Sequence, residues 1–186
     1  MYLTVFGLSL GAWLLFEIWV LLRDRGKEQR AARAEALRTF AALAIAIALA
    51  MNIPGIAPKF DVHRNFPVYF FMGIALVWIG MLYRLWSVRT LGAFFSPRLV
   101  IQKGHNLITE GPYRFIRNPS YTAALITMCG LGISLGNGLS LAILLLTGLI
   151  VYLGRIKSEE RMLAQAFGSA YEAYKKRTWA LIPFVW

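Results

Sequence analysis

One cysteine, two histidines and nine acidic residues are all that this 186-residue sequence holds of the groups that build disulfides, metal sites and carboxylate clusters. The lone Cys129 excludes an internal disulfide and a cysteine-rich metal centre, and its place in an apolar run points to packing. Low-complexity linkers and internal repeats are missing as well. Charged residues make up only 16% of the chain against 58% hydrophobic ones, and the mean hydropathy is +0.57. That balance excludes an ordinary soluble fold of this length and points to an integral membrane protein of one domain.

The scarce charge is also one-sided, with 20 lysines and arginines giving a formal net charge of +11. They fall in short clusters between apolar runs, as in the loops of polytopic proteins, so nucleic acid is not the expected partner. A helix needs about 20 apolar residues to cross the hydrocarbon. The apolar runs at 2–22, 37–53, 66–86, 121–135 and 139–153 predict an all-α, polytopic integral membrane protein with five transmembrane helices. No basic segment precedes the first run and no small-residue cleavage site follows it, so it is expected to stay in the mature chain. Six basic residues lie from the end of helix 1 to the first turn of helix 2, six from the end of helix 3 to helix 4, and six after helix 5, against two between helices 2 and 3. The positive-inside rule then predicts an outside N-terminus and a cytoplasmic C-terminus. Helices 4 and 5, joined by the uncharged Gly136-Asn137-Gly138 turn, are expected to form a helical hairpin.

The polar chemistry gathers in two segments on that cytoplasmic side. In the first, Leu99 to Thr109 reads as two extended runs around a Lys-Gly-His-Asn turn. Asn118 and Pro119 are a fitting cap and first-turn pair for helix 4. In the second, Leu163, Ala166, Phe167, Ala170, Tyr171 and Tyr174 recur at helical spacing and predict a C-terminal amphipathic helical segment. Gly168 is expected to break it, with Ser169 and Glu172 as a capping box for the second piece. Glu17, costly inside a membrane helix, is expected to pair with an arginine, Arg23 being six residues away. Gly130-x-Gly132-x-x-x-Gly136 follows no strand and reads as helix packing rather than a nucleotide loop.

Gly104-His105-x-Leu107-Ile108-x-x-Gly111-x-Tyr113-x-x-x-Arg117-Asn118-Pro119-x-Tyr121 is followed, after a mostly apolar stretch, by Glu159-Glu160. Then come Phe167-Gly168-x-x-Tyr171-x-x-Tyr174-x-x-Arg177-Thr178 and Leu181-Ile182-Pro183. This ordered set resembles the isoprenylcysteine carboxyl methyltransferase family, and the phospholipid methyltransferases share much of it. The resemblance runs from Thr90 to Trp186, which would make 90–186 the cofactor-binding half and 1–89 the membrane helices 1–3 of a single 1–186 domain. It implies transfer of a methyl group from S-adenosylmethionine to a lipid-like or prenylated acceptor at the bilayer, with the donor held on the cytoplasmic side and no metal. By the same resemblance His105, Leu107, Ile108, Gly111, Tyr113, Arg117, Asn118, Pro119, Tyr121, Glu159 and Glu160 are the donor-binding residues. The family's usual histidine is Asn118 here, which can hydrogen-bond but cannot titrate near neutrality. Many members carry an arginine where this chain has Ala180.

The four residues expected to act on the reacting groups are Arg177, Tyr174, Glu160 and Asn118. A carboxylate acceptor needs orientation rather than a base, which suits the planar donor fork of Arg177 with Tyr174 beside it. An amine acceptor would have to lose a proton, with Glu160 or Glu159 nearest to receive it. Phospholipid amine N-methylation, an NADPH-dependent membrane reductase and a non-catalytic membrane scaffold are the other readings of the same residues.

Overall fold

A computed structural model of the chain describes residues 1–23, 30–62, 65–92 and 107–183, with side chains throughout except at 21–23 and 30–33. Its elements are the helices α1 (Tyr2–Arg23), α2 (Arg30–Ile56), α3 (Phe66–Leu91), α4 (Pro119–Ser134), α5 (Gly138–Phe167) and α6 (Ser169–Lys175), with short 3-10 turns at Pro58–Phe60 and Gly111–Arg114. The protein is all-helical and membrane-integral. Four of its helices, within Tyr2–Val20, Ala34–Ile56, Phe66–Leu91 and Gly138–Phe167, are long and apolar enough to cross a bilayer. α4 has 16 residues and is shorter than that.

Burial is inverted relative to a soluble bundle. Leu3, Leu15 and Ile150 are 88%, 70% and 72% exposed, while Glu17 and Arg84 are buried. Large apolar side chains face outward and charges face inward, the arrangement that a hydrocarbon solvent favours.

α3 and α4 approach most closely, because small residues line both faces. A Cβ added at Gly73 would lie 2.5 Å from the backbone nitrogen of Ser134, and one at Gly80 would lie 2.7 Å from the Ala123 carbonyl. Gly130 fits in return against the backbone of Gly73 and Val77, and Gly132 against Leu141 of α5. Backbone contact of this kind replaces the hydrophobic effect, which gives no drive between helices already in lipid. α2 joins α5 through the Ser140 hydroxyl, which donates to the Ala50 carbonyl at 2.8 Å. α1 rests on α3, with the Tyr2 ring edge-on to Phe66 and Phe70 and Trp78 Nε1 donating to Ser9 Oγ at 3.3 Å.

Several expectations change at the helix ends. α5 runs unbroken to Phe167, well past residue 153, so Leu163, Ala166 and Phe167 continue a membrane helix instead of beginning a separate one. Gly168 takes φ +51, a left-handed value natural to glycine, and ends α5. It also occupies the cap position of α6, so Ser169 starts one place too late and makes no capping bond; the expected capping box with Glu172 is absent. Ala166 and Ala170 are exposed, and only Tyr171 and Tyr174 of the expected stripe are buried.

Candidate functional site

The two polar segments, forty residues apart in sequence, meet at the end of the bundle where α4 starts and α5 finishes. Arg117 Nε donates to Glu160 Oε1 at 2.6 Å, and its Nη1 donates to the Thr178 carbonyl at 2.6 Å. Both side chains of the pair are largely buried, so this is a charge-assisted bond shielded from water. Lys175 Nζ approaches the other oxygen of Glu160 at 3.3 Å.

Four consecutive carbonyls of the tail are gathered by the segment around the start of α4. Thr178 takes the Arg117 guanidinium, Trp179 takes the Arg117 backbone N–H at 2.9 Å, Ala180 takes Asn118 Nδ2 at 2.9 Å, and Leu181 takes the Thr122 hydroxyl at 2.7 Å. The Trp179 N–H returns a bond to the Phe115 carbonyl at 2.9 Å. Asn118 does stand at the cap position of α4, but its side chain makes no capping bond and reaches for the tail instead. The Asn118 backbone carbonyl instead accepts from Tyr121 N at 3.1 Å and Thr122 N at 3.2 Å, so that the helix start keeps those bonds without a side-chain cap.

Glu159 and Glu160 part company because neighbouring helix positions point about 100° apart. Glu160 is held by Arg117 and Lys175. Glu159 turns to the bundle, where the Tyr121 hydroxyl donates to its Oε1 and Arg155 Nη2 lies 3.7 Å from the same oxygen. Arg155 Nε donates to the Tyr121 oxygen at 3.1 Å, and its Nη1 reaches Thr39 of α2 at 3.4 Å. Among the described residues no hydrogen bond or ion pair reaches Glu159 Oε2. Arg155 and Thr39 were not signalled by the motif spacing; Arg155, four residues before Glu159 on the same helix, was the legible one.

Tyr174 donates to the Tyr113 carbonyl at 2.7 Å, fastening α6 to the turn before α4. Burial, then the carboxylate of Glu159, pushes the Tyr113 hydroxyl well above its usual range, and burial raises Tyr171 and Tyr174 likewise. Gly111 opens that turn at φ +56, where a Cβ would also lie 3.0 Å from Thr90 Oγ1, so both conformation and space call for glycine. Pro119 is buried, and Leu107 and Ile108, shortly before Gly111, are half-buried. Arg177 stands apart from the cluster, exposed, with Nε donating to the Ala173 carbonyl at 3.3 Å. His105 and the extended runs expected around it lie outside the described residues, apart from 107–109.

At the opposite end, a cleft of about 240 Å³ is lined by Pro54, Asp61, Val62, Phe66, Leu135 and Gly136. None of the predicted site residues lines it.

The geometry has counterparts among known proteins. The family model described as phospholipid methyltransferase matches residues 68–170, 103 of the 186. It therefore takes in α3, which the motifs did not reach, and stops before Tyr171 and Tyr174. A probable protein-S-isoprenylcysteine O-methyltransferase of Oryza sativa subsp. indica is 35% identical over 117 residues, 62% of this chain and 61% of the relative. The protein-S-isoprenylcysteine O-methyltransferase of Schizosaccharomyces pombe is 31% identical over 130 residues, 69% of this chain and 55% of the relative. The chain thus spans less than two thirds of the length of these curated relatives. The solved structure of the eukaryotic intramembrane Ras methyltransferase, isoprenylcysteine carboxyl methyltransferase, superposes with a TM-score of 0.68 at 21% identity, over 99% of this chain and 68% of that one. The fold is shared.

Proposed function

Because the chain belongs to the phospholipid methyltransferase family, we propose that it is a membrane-embedded methyltransferase that uses S-adenosylmethionine to methylate the carboxylate of a lipid-like acceptor of the isoprenylcysteine type. The observation that carries this reading is the meeting of Arg117 with Glu160 while Glu159, next to it, keeps one carboxylate oxygen unengaged among the described residues. Similarity to the rice and fission-yeast enzymes, named for isoprenylcysteine O-methylation, supports the acceptor class. In this reading α4 is counted as a fifth crossing, and the distribution of the basic loops supports a cytoplasmic site.

The groups present suit such a donor, which has hydroxyls and a cationic amine at one end and an apolar heterocycle at the other. Glu159 Oε2 is an acceptor for the ribose hydroxyls or the ammonium. Leu107, Ile108 and Tyr113, with Gly111 bringing the backbone close, offer apolar contact and main-chain bonds to the adenine. When bound, the cofactor supplies a methyl group made electrophilic by its sulfonium. The protein's task is then to place the acceptor and exclude water, since bringing opposite charges together is favoured more in a dry site than in a wet one.

A carboxylate acceptor is favoured over an amine because both glutamates are already committed. Glu160 is bound to two cations, and Glu159 has one oxygen held by Tyr121 and Arg155 and the other assigned to the donor, which leaves neither as a ready base. Arg177 forms no ion pair among the described residues and remains the group to receive the acceptor's carboxylate. Asn118 and Tyr174 hold the tail that carries it.

Isothermal titration of the purified chain in detergent, with S-adenosylmethionine, its demethylated product S-adenosylhomocysteine and NADPH, tests the reading. Product binding that is lost in Glu159→Ala supports it. Binding of NADPH alone would overturn it in favour of a reductase, and no binding at all would leave a scaffold.

A further inference from the structure

A chain of polar contacts links α1, α3, α4, α5 and α2, and it begins at a charge pair outside the cluster described above. Glu17 of α1 accepts from Arg84 Nη2 of α3 at 2.9 Å. Arg84 Nη1 lies 3.2 Å from both the carbonyl and the hydroxyl oxygen of Ser120, in the first turn of α4. The next residue, Tyr121, holds Glu159 and receives Arg155, which reaches Thr39 of α2.

Arg84 is buried at 8% exposure, and its Nε has no hydrogen-bond partner among the described residues. A clamp serving stability alone would be better built from apolar residues, since a buried ion pair with an unmatched donor recovers little of its desolvation cost. What a guanidinium does that an apolar side chain cannot is hold a carboxylate on one nitrogen and the oxygens of a neighbouring helix on another, with the two nitrogens fixed in one plane. That grip sets the rotation of the first turn of α4 and hence the direction of the Tyr121 hydroxyl.

We infer that Glu17 and Arg84 are positioning residues that act from within the membrane through Ser120 and Tyr121 to orient the Glu159 carboxylate for the methyl donor. This rests on the methyl-donor reading. Glu17 keeps Arg84 extended toward α4, and Arg84 translates the packing of α1 on α3 into the geometry of the site.

Calorimetric titration with S-adenosylhomocysteine and thermal melting, both on the full chain in detergent, test it with three variants. Glu17→Gln alone leaves a buried guanidinium without a counter-charge and lowers both melting temperature and affinity. In the double variant Glu17→Gln with Arg84→Gln no charge is stranded, so melting returns close to wild type while affinity stays about tenfold weaker, because the grip on Ser120 is gone. Ser120→Ala, mild enough to fold if the double variant does not, weakens affinity about threefold with melting unchanged. Affinity that recovers with melting in the double variant, or is untouched in Ser120→Ala, overturns the inference alone. A wild-type chain that binds no S-adenosylhomocysteine overturns the methyl-donor reading and this inference with it.

Discussion

Asn137 and Asn118 hold the same station, each immediately before a helix, yet they do opposite things with the same amide. Asn137 turns its carbonyl onto its own helix, accepting from Leu139 N and Ser140 N at 3.0 Å each, and its Nδ2 donates to Asp61 at 2.6 Å and to Ala57. That end of the bundle is closed locally, by residues whose work is finished when the helix has started. Asn118 leaves its helix uncapped and donates to Ala180, 62 positions away. At this end the start of α4 is used to hold the tail, and four tail carbonyls depend on it. A helix start that forgoes its cap to reach a distant segment is serving assembly of the candidate site rather than the helix.

The comparison can be broken most severely at Arg117. Arg117→Ala removes the bond to Thr178 and leaves Glu160 with Lys175 alone, at a cost of about 2–3 kcal/mol in unfolding free energy, below the full buried-pair figure because Lys175 remains. Binding of S-adenosylhomocysteine should be lost together with protease resistance of the tail; a tail as resistant as wild type would show that Arg117 does not hold it. Asn118→Asp keeps the shape but sets a carboxylate against the Ala180 carbonyl, and should destabilise by about 2 kcal/mol and exceed Asn118→Ala in effect. Equal effects of the two would mean that the amide N–H matters little. Asn137→Ala removes a true cap and should cost about 1 kcal/mol in thermal melting while donor-product affinity holds. Tyr174→Phe, which deletes only the bond to Tyr113, should lower stability by about 1 kcal/mol.

Alkali gives the smallest and gentlest probe. The hydroxyls of Tyr113, Tyr171 and Tyr174 titrate above the ordinary value of 10 when folded. The unfolded chain therefore loses these protons first, so stability is flat below pH 10 and falls as pH rises beyond it. Circular dichroism of melting from pH 8 to 11 should show that onset, and Tyr174→Phe should blunt it.

The helices themselves were plain in the sequence, because runs such as 2–22 and 66–86 are apolar enough to admit one interpretation. Their ends were not. α2 begins at Arg30 rather than 37, and α5 carries on to Phe167, since arginine, lysine and glutamate are good helix formers once the chain has left the hydrocarbon. That Arg117 and the Glu159-Glu160 segment come together was implied by the family resemblance, which names all three as donor-binding residues, and they do meet. What spacing could not tell was which way each side chain turns: that Glu159 faces the bundle and Glu160 the tail, that Asn118 leaves its helix uncapped, and that Arg177 points to solvent. Glu17 was recognised as needing an arginine, but proximity in sequence pointed to Arg23, whereas the guanidinium that meets it is Arg84 on α3. Partners 67 positions apart are a matter of how helices pack, which composition does not record.

α5 is 30 residues long, about 45 Å at 1.5 Å per residue, against a hydrocarbon thickness of about 30 Å. Counted from Gly138, the greasy layer is used up close to residue 157, just short of the paired carboxylates. The helix thereby acts as a depth gauge, delivering Glu159 and Glu160 to the boundary between two solvents. If the chain transfers a methyl group as proposed, a water-borne donor and an oil-borne acceptor would meet there without either one leaving the phase in which it dissolves.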